Sequence, residues 1–146
     1  MIQNPILPGF HADPCICRKG DDFYIAVSSF EWFPGIPIYH SKDMKNWELY
    51  SHALTNAEDP DLKKLPSAKG IWAPCLTYCE ADDLFYVVYG VMNSMNARYF
   101  DVDNYLITAK DLIAQLKDKE LEEAEYKTEL KKLQGELGEL HNRLYR

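Results

Sequence analysis

Over roughly the first three-quarters of the chain, apolar residues come in short runs, each bounded by turn-forming residues. FYIAVSSF (Phe23 to Phe30) follows KGDD and runs into the breaker FPG. IPIYHS (Ile36 to Ser41) comes next, then the polar turn KDMKN and the run WELY. A polar, proline-containing stretch from Thr55 to Lys69 separates these from IWAPCLTYC, LFYVVYGV and finally NYLITAK. Short aromatic and β-branched runs punctuated by Gly, Pro, Asp and Asn predict strands, and no long helical pattern intervenes. The reading is all-β up to about Leu112.

A weak internal repeat adds architecture. GDDFYIAVSS is echoed by ADDLFYVVYG, and PIYHSKDM by YLITAKDL, each second copy lying roughly sixty to seventy residues after the first. Repeats of that period built from short antiparallel strands suggest blades of a β-propeller. In the first copy Asn46-Trp47 follows the turn and supplies a large residue to cap an outer strand. The second copy does not continue in this way after Lys110-Asp111-Leu112.

From Ile113 onward the period changes. Glu and Lys interleave with helix formers, and no proline occurs to the end. Leu130, Leu133, Leu137, Leu140 and Leu144 alternate spacings of three and four, which is one apolar stripe of a helix. Tyr126 extends the stripe, but Glu123 and Lys119 interrupt it. Gly135 and Gly138 each cost about 1 kcal/mol in a helix interior. Residues 113–146 are therefore expected to form an amphipathic helix that self-associates or docks on a partner, short of an idealised coiled coil.

Composition narrows the function classes. The 13% aromatic content suits a Tyr-rich β-core first and a sugar-binding surface second. A formal charge of −7 with no basic patch argues against a nucleic-acid partner. No run approaches the roughly 20 apolar residues of a membrane span. The opening MIQNPILPGF lacks the basic and apolar regions of an export signal, so a cytoplasmic location is expected. Cys15, Cys17, Cys75 and Cys79 do not have zinc-site spacing and read as reduced thiols in a β-core. No metal or cofactor is expected.

The run NPILPGFHADPCICRKGDDFYIAVSSFEWFPGIPIYHSKDMKNWEL closely resembles the N-terminus of glycoside hydrolase family 43, in its β-xylosidase and xylosidase/α-L-arabinofuranosidase branch. GIWAPCLTY and LFYVVYGV resemble the entry to that family's second blade. The resemblance covers residues 1 to about 112. It implies a partial five-bladed β-propeller, about one and a half blades, acting on xylo- or arabino-oligosaccharides. Asp13 of HADP matches the family's general base. Phe30 and Trp72 match aromatic positions that wall the sugar pocket, Trp32 and Phe33 are expected to support that wall, and His11 to orient groups beside Asp13.

Family members are inverting enzymes, which need a second carboxyl group as acid, about 6.5–9.5 Å from the base. The family's acid and the aspartate that tunes it come from later blades, and neither motif occurs in this sequence. Asp21, Asp22, Asp82 and Asp83 occupy turn positions, where Asp is ordinary. Glu31, in the FEWFPG turn, is the one carboxylate near the expected pocket, and a weak candidate for the acid. The expectation is a glycosidase fragment, inactive alone. The alternative is an interaction module or split-enzyme piece joined through residues 113–146. The tail KELEEAEYKTELKKLQGELGELHNRLYR is also similar to the helix before the nucleotide-binding core of family 2 polyphosphate kinases. It has no G-x-x-x-x-G-K loop, so no kinase activity is implied.

Overall fold

A computed structural model of the chain describes residues 2–55, 61–94, 101–110 and 112. The expected helix over residues 113–146, with its proposed pairing and its polyphosphate-kinase likeness, lies outside the described residues. Within them the protein is mainly β, as the hydrophobic pattern predicts. Seven strands form two antiparallel sheets, in order β1-β2-β3-β4 and β5-β6-β7. They are β1 (Cys15–Lys19), β2 (Asp22–Ala26), β3 (Gly35–Ser41), β4 (Glu48–Leu54), β5 (Gly70–Cys79), β6 (Leu84–Ser94) and β7 (Asp101–Ala109). Each sheet is a meander whose sequential neighbours pair, so the contacts within it are local. The polar stretch before β5 carries only a 3₁₀ turn at Leu62–Lys64.

The repeat found in the sequence is the repeat of the fold. GDDFYIAVSS and ADDLFYVVYG supply the second strands of the two sheets, β2 and β6, and PIYHS and YLITA supply the third, β3 and β7. The turns follow from local chemistry. Between β1 and β2 only Gly20 and Asp21 separate the paired residues Lys19 and Asp22. Gly20 has φ of 59°, which the first loop position of such a hairpin requires. Between β3 and β4, Asp43 accepts the amide protons of Lys45 and Asn46, both at 2.8 Å, so its side chain replaces absent ladder partners.

The two sheets enclose the core. Tyr24, Ala26, Ile36, Ile38 and Leu54 from the first pack with Ile71, Leu76, Phe85, Val87 and Tyr89 from the second. Tyr24 meets Phe85 edge-on at 5.3 Å. LFYVVYGV reads as continuously apolar, yet the strand alternates: Phe85, Val87, Tyr89 and Val91 are buried while Val88 is 46% exposed. The cysteines depart from the expected uniform core. All four are free thiols, but Cys17 alone is buried and Cys75 is exposed, because Cys75 falls on the outward phase of β5.

Lys19 fastens the sheets at one edge. Its ammonium lies 3.0 Å from Asp83 and 4.5 Å over the Tyr78 ring. Asp83 also accepts from the Tyr78 hydroxyl at 2.7 Å. That hydrogen bond, followed by the one from Lys19, holds the Asp83 carboxyl below its ordinary range. At the start of β2, Lys42 and then His40 do the same for Asp22. A carboxyl with a lowered pKa in the fold stabilises it above the unfolded value, about 3.9, and loses that contribution as pH falls. In thermal melts, Asp83→Asn should therefore lower Tm at pH 7, and its gap from the parent should close as pH drops below about 5. A gap that stays constant would show that the Asp83 charge adds nothing.

A second prediction concerns Gly70, which has φ of 93° and whose missing Cβ would stand 2.4 Å from the Phe30 carbonyl oxygen. Gly70→Ala should cost well over 1 kcal/mol in a denaturant titration. Gly20→Ala, where nothing lies within 4 Å, should cost only the backbone strain, about 1–2 kcal/mol.

Candidate active site

The site is organised by residues 27–31, which leave β2 and cross to the second sheet. Val27 donates to Pro37 O at 3.3 Å and Ser28 to Ala12 O at 3.0 Å. Phe30 then exchanges two 3.0 Å backbone hydrogen bonds with Ile71 of β5. Ser29 is buried, and its hydroxyl accepts from the Ile36 amide at 3.0 Å, closing the FEWFPG turn. Five non-glycine residues here take left-handed backbone: Asp13 (φ 50°), Phe30 (φ 52°), Ile36 (φ 53°), Ala68 (φ 62°) and Ala73 (φ 46°). Each such residue costs roughly 1–2 kcal/mol, and strain of this kind collects at functional sites.

Asp13 lies just before β1 and is exposed. Its one hydrogen bond among the described residues comes from the Ser28 hydroxyl, 2.6 Å from Oδ2. Ser28 is 5% exposed, and its Oγ accepts from the Ala73 amide at 2.8 Å. Short bonds donated to a carboxylate are among the stronger kind, and this one ties Asp13 to both sheets. His11 is placed differently from the expected orienting role. Its Nε2 is 3.3 Å from Pro8 O, and its ring stands edge-on to Tyr39 at 5.1 Å. Those contacts shape the N-terminal segment, and Asp13 is held instead by Ser28, which the sequence reading passed over.

Aromatic rings gather beside this segment. Phe30 lies 6.0 Å from Trp32 and 6.3 Å from Trp72, both near-perpendicular. Phe10 completes the group, 5.8 Å from Phe30 and 5.7 Å from Trp32. Phe10 was not singled out from the sequence, although its place beside HADP was a usable signal. Trp72 Nε1 donates to Ala68 O at 3.3 Å, and Lys69 stands 5.8 Å from its ring. Phe10 and Trp32 remain 64% and 57% exposed, so their faces are open to a ligand. Phe33 is exposed but outside this group of ring contacts.

The remaining carboxylates named from the sequence have structural partners. Glu31 accepts from the Ser67 hydroxyl at 2.8 Å and the Ala68 amide at 3.1 Å. Its own backbone amide first, then these two donors, hold its pKa below the ordinary value. A general acid needs the opposite shift, so Glu31 is poorly suited to that role. Asp21 pairs with Arg18, Asp22 with Lys42, and Asp82 accepts from Tyr86. Among the described residues no group of three or more His, Cys, Asp or Glu could hold a metal ion, and no helix is long and apolar enough to cross a membrane.

Ser28 thus joins the exposed carboxylate of Asp13 to the segment that carries Phe30, and through the Ala73 amide to the residue after Trp72. The profile of Glycosyl hydrolases family 43 matches residues 2–120, and the chain belongs to that family. It is 47% identical over 111 residues to a β-xylosidase of Bacillus subtilis, covering 76% of this chain and 20% of that protein. A non-reducing end α-L-arabinofuranosidase of Bacteroides ovatus is 45% identical over 107 residues, covering 70% of this chain and 20% of that protein. Among solved structures, xylan β-1,4-xylosidase from Bacillus halodurans superposes with a TM-score of 0.72 at 49% identity, over 77% of this chain and 21% of that one. The chain thus spans about a fifth of the length of these relatives.

If the rings form an open surface rather than core, their loss should leave the fold intact. Phe10→Ala and Trp32→Ala should each change stability by less than about 1 kcal/mol. Ile71→Ala, at a fully buried position, should cost about 2–5 kcal/mol in the same denaturant titration. Equal losses at all three would place the rings in the core.

Proposed function

We propose that residues 1–112 form the base-bearing part of an inverting glycosidase site for xylo- or arabino-oligosaccharides, on the opening blades of a five-bladed β-propeller. The observation that carries this reading is Asp13, held by Ser28 beside the Phe10, Phe30, Trp32 and Trp72 rings. In an inverting reaction the base takes a proton from water as that water attacks the anomeric carbon. The acid protonates the leaving oxygen from the opposite face, so the two carboxyl groups stand far enough apart to admit the water. Asp13 has the exposure this role needs, and apolar ring faces suit the C–H faces of a pentose. In this reading the acid and its tuning aspartate come from blades other than the two sheets described. The similarity to a β-xylosidase and an α-L-arabinofuranosidase supports a pentosidase. The four-plus-three arrangement of antiparallel strands agrees with consecutive propeller blades.

The test is hydrolysis of an aryl β-D-xyloside and an aryl α-L-arabinofuranoside by the purified protein, with Asp13→Ala beside it. Loss of about 10²–10⁴ in rate on either substrate is expected for a general base. Equal and measurable rates in both proteins would sink the assignment, whereas no activity in either is the outcome expected of a fragment whose acid lies on other blades. Binding can be read without turnover, by calorimetry with a xylo-oligosaccharide. Trp72→Ala should weaken it about tenfold, or roughly 1.4 kcal/mol, and unchanged affinity would remove Trp72 from the sugar wall.

A further inference from the structure

The geometry points to Ser28 as the positioning residue of Asp13, oriented in turn by the Ala73 amide, so that the base is aligned only when the second sheet is docked on the first. The inference rests on the reading of Asp13 as general base and adds a residue and a coupling to it.

The direction of the hydrogen bonds is fixed by chemistry. A backbone N–H only donates, so Ala73 must occupy a lone pair of the Ser28 oxygen. The hydroxyl proton is then free to point at Asp13 Oδ2, an acceptor, at 2.6 Å. Burial of Ser28, 5% exposed, removes water as a competing partner for that hydroxyl. Oδ2 is thereby committed, and among the described residues Oδ1 accepts from no protein group, leaving it for the attacking water.

The Ala73 amide is available because β5 is irregular at that point. The β5–β6 register shifts between Trp72 and Cys75, and Ala73 takes φ of 46°. A bulge turns one amide out of the ladder and re-aims the adjacent side chain. Here the freed amide meets Ser28, while the neighbouring residue is Trp72. One irregularity thus sets both the hydrogen bond behind the base and a ring of the proposed sugar wall. Ser28 in turn belongs to the strap whose Phe30 pairs with Ile71, so strap and bulge hold each other in place.

The test uses the intact chain and isotope-edited NMR at neutral pH, with Asp13→Ala, Ser28→Ala, Ser28→Thr and the Asp13→Ala/Ser28→Ala double variant. Asp13→Ala should shift the Ala73 amide resonance when Ser28 is present and leave it unmoved in the Ser28→Ala background. Ser28→Ala should also shift the Asp13 side-chain carboxyl carbon, and Ser28→Thr, which keeps the hydroxyl, should restore most of the parent position. An Ala73 amide that ignores Asp13, or responds equally in both backgrounds, overturns the relay whether or not the chain turns over substrate. In the aryl glycoside assay Ser28→Ala should lower kcat about tenfold with KM within about twofold, and Ser28→Thr should recover it. Full kcat in Ser28→Ala while Asp13→Ala is inactive would overturn the positioning role alone. Full activity in Asp13→Ala would instead overturn the general-base reading, with the NMR cycle still deciding the hydrogen bonds.

Discussion

The crossing of residues 28–31 from the first sheet to the second is the constraint on which the rest of the site depends. Two meanders of antiparallel strands can each satisfy their own ladders and still face each other in many ways. The paired hydrogen bonds between Phe30 and Ile71 remove that freedom at one end. The Lys19 ammonium, set between Asp83 and the Tyr78 ring, removes it at another edge. Between them the core side chains interleave, with Ile36, Ile38 and Ile71 fully buried.

Close approach at the crossing explains otherwise unfavourable local choices. Gly70 has no side chain because the Phe30 carbonyl occupies the space a Cβ would need. Asp13, Phe30 and Ala73 accept left-handed backbone because ladder and side-chain hydrogen bonds over-determine their positions. These three strained positions fall where chemistry is proposed, while Met44 and Asp83 take the same backbone in turns between strands. Asp13 is brought out of its strand to an exposed place, Phe30 is turned toward Trp32 and Trp72, and Ala73 offers its amide to Ser28.

The surrounding charges divide into two kinds. Asp21, Asp22, Glu31, Asp82 and Asp83 are engaged by lysine, arginine, tyrosine, serine or backbone donors in turns and at strand ends. The donors to Asp22, Glu31 and Asp83 hold those carboxyls below their ordinary range, which opposes general-acid chemistry. Asp13 differs in that its donor, the Ser28 hydroxyl, is itself buried and held by an amide of the second sheet.

Much of this was legible in the chain itself. Apolar runs between turn residues marked six of the seven strands, since alternation and turn chemistry are local properties. The repeat matched second strand to second strand and third to third, and the HADP, FEWFPG and GIWAPCLTY motifs pointed to Asp13, Phe30, Trp32 and Trp72. What the chain could not display were relations between residues far apart in sequence. Ser28 in VSSF looks like any strand serine until a bulge 45 residues later supplies its donor. The apolar run of β6 hid its exposed Val88, because only the packing of one sheet on another decides which phase of a strand is covered. His11 lies two residues from Asp13 in sequence yet turns to Pro8 and Tyr39, and Glu31 of the FEWFPG turn is taken up by Ser67 and Ala68. Periodicity and motif therefore determined which residues form strands and which are candidates for chemistry. Tertiary structure alone decided their alignment, because hydrogen-bond direction and burial are set by partners that local sequence does not contain.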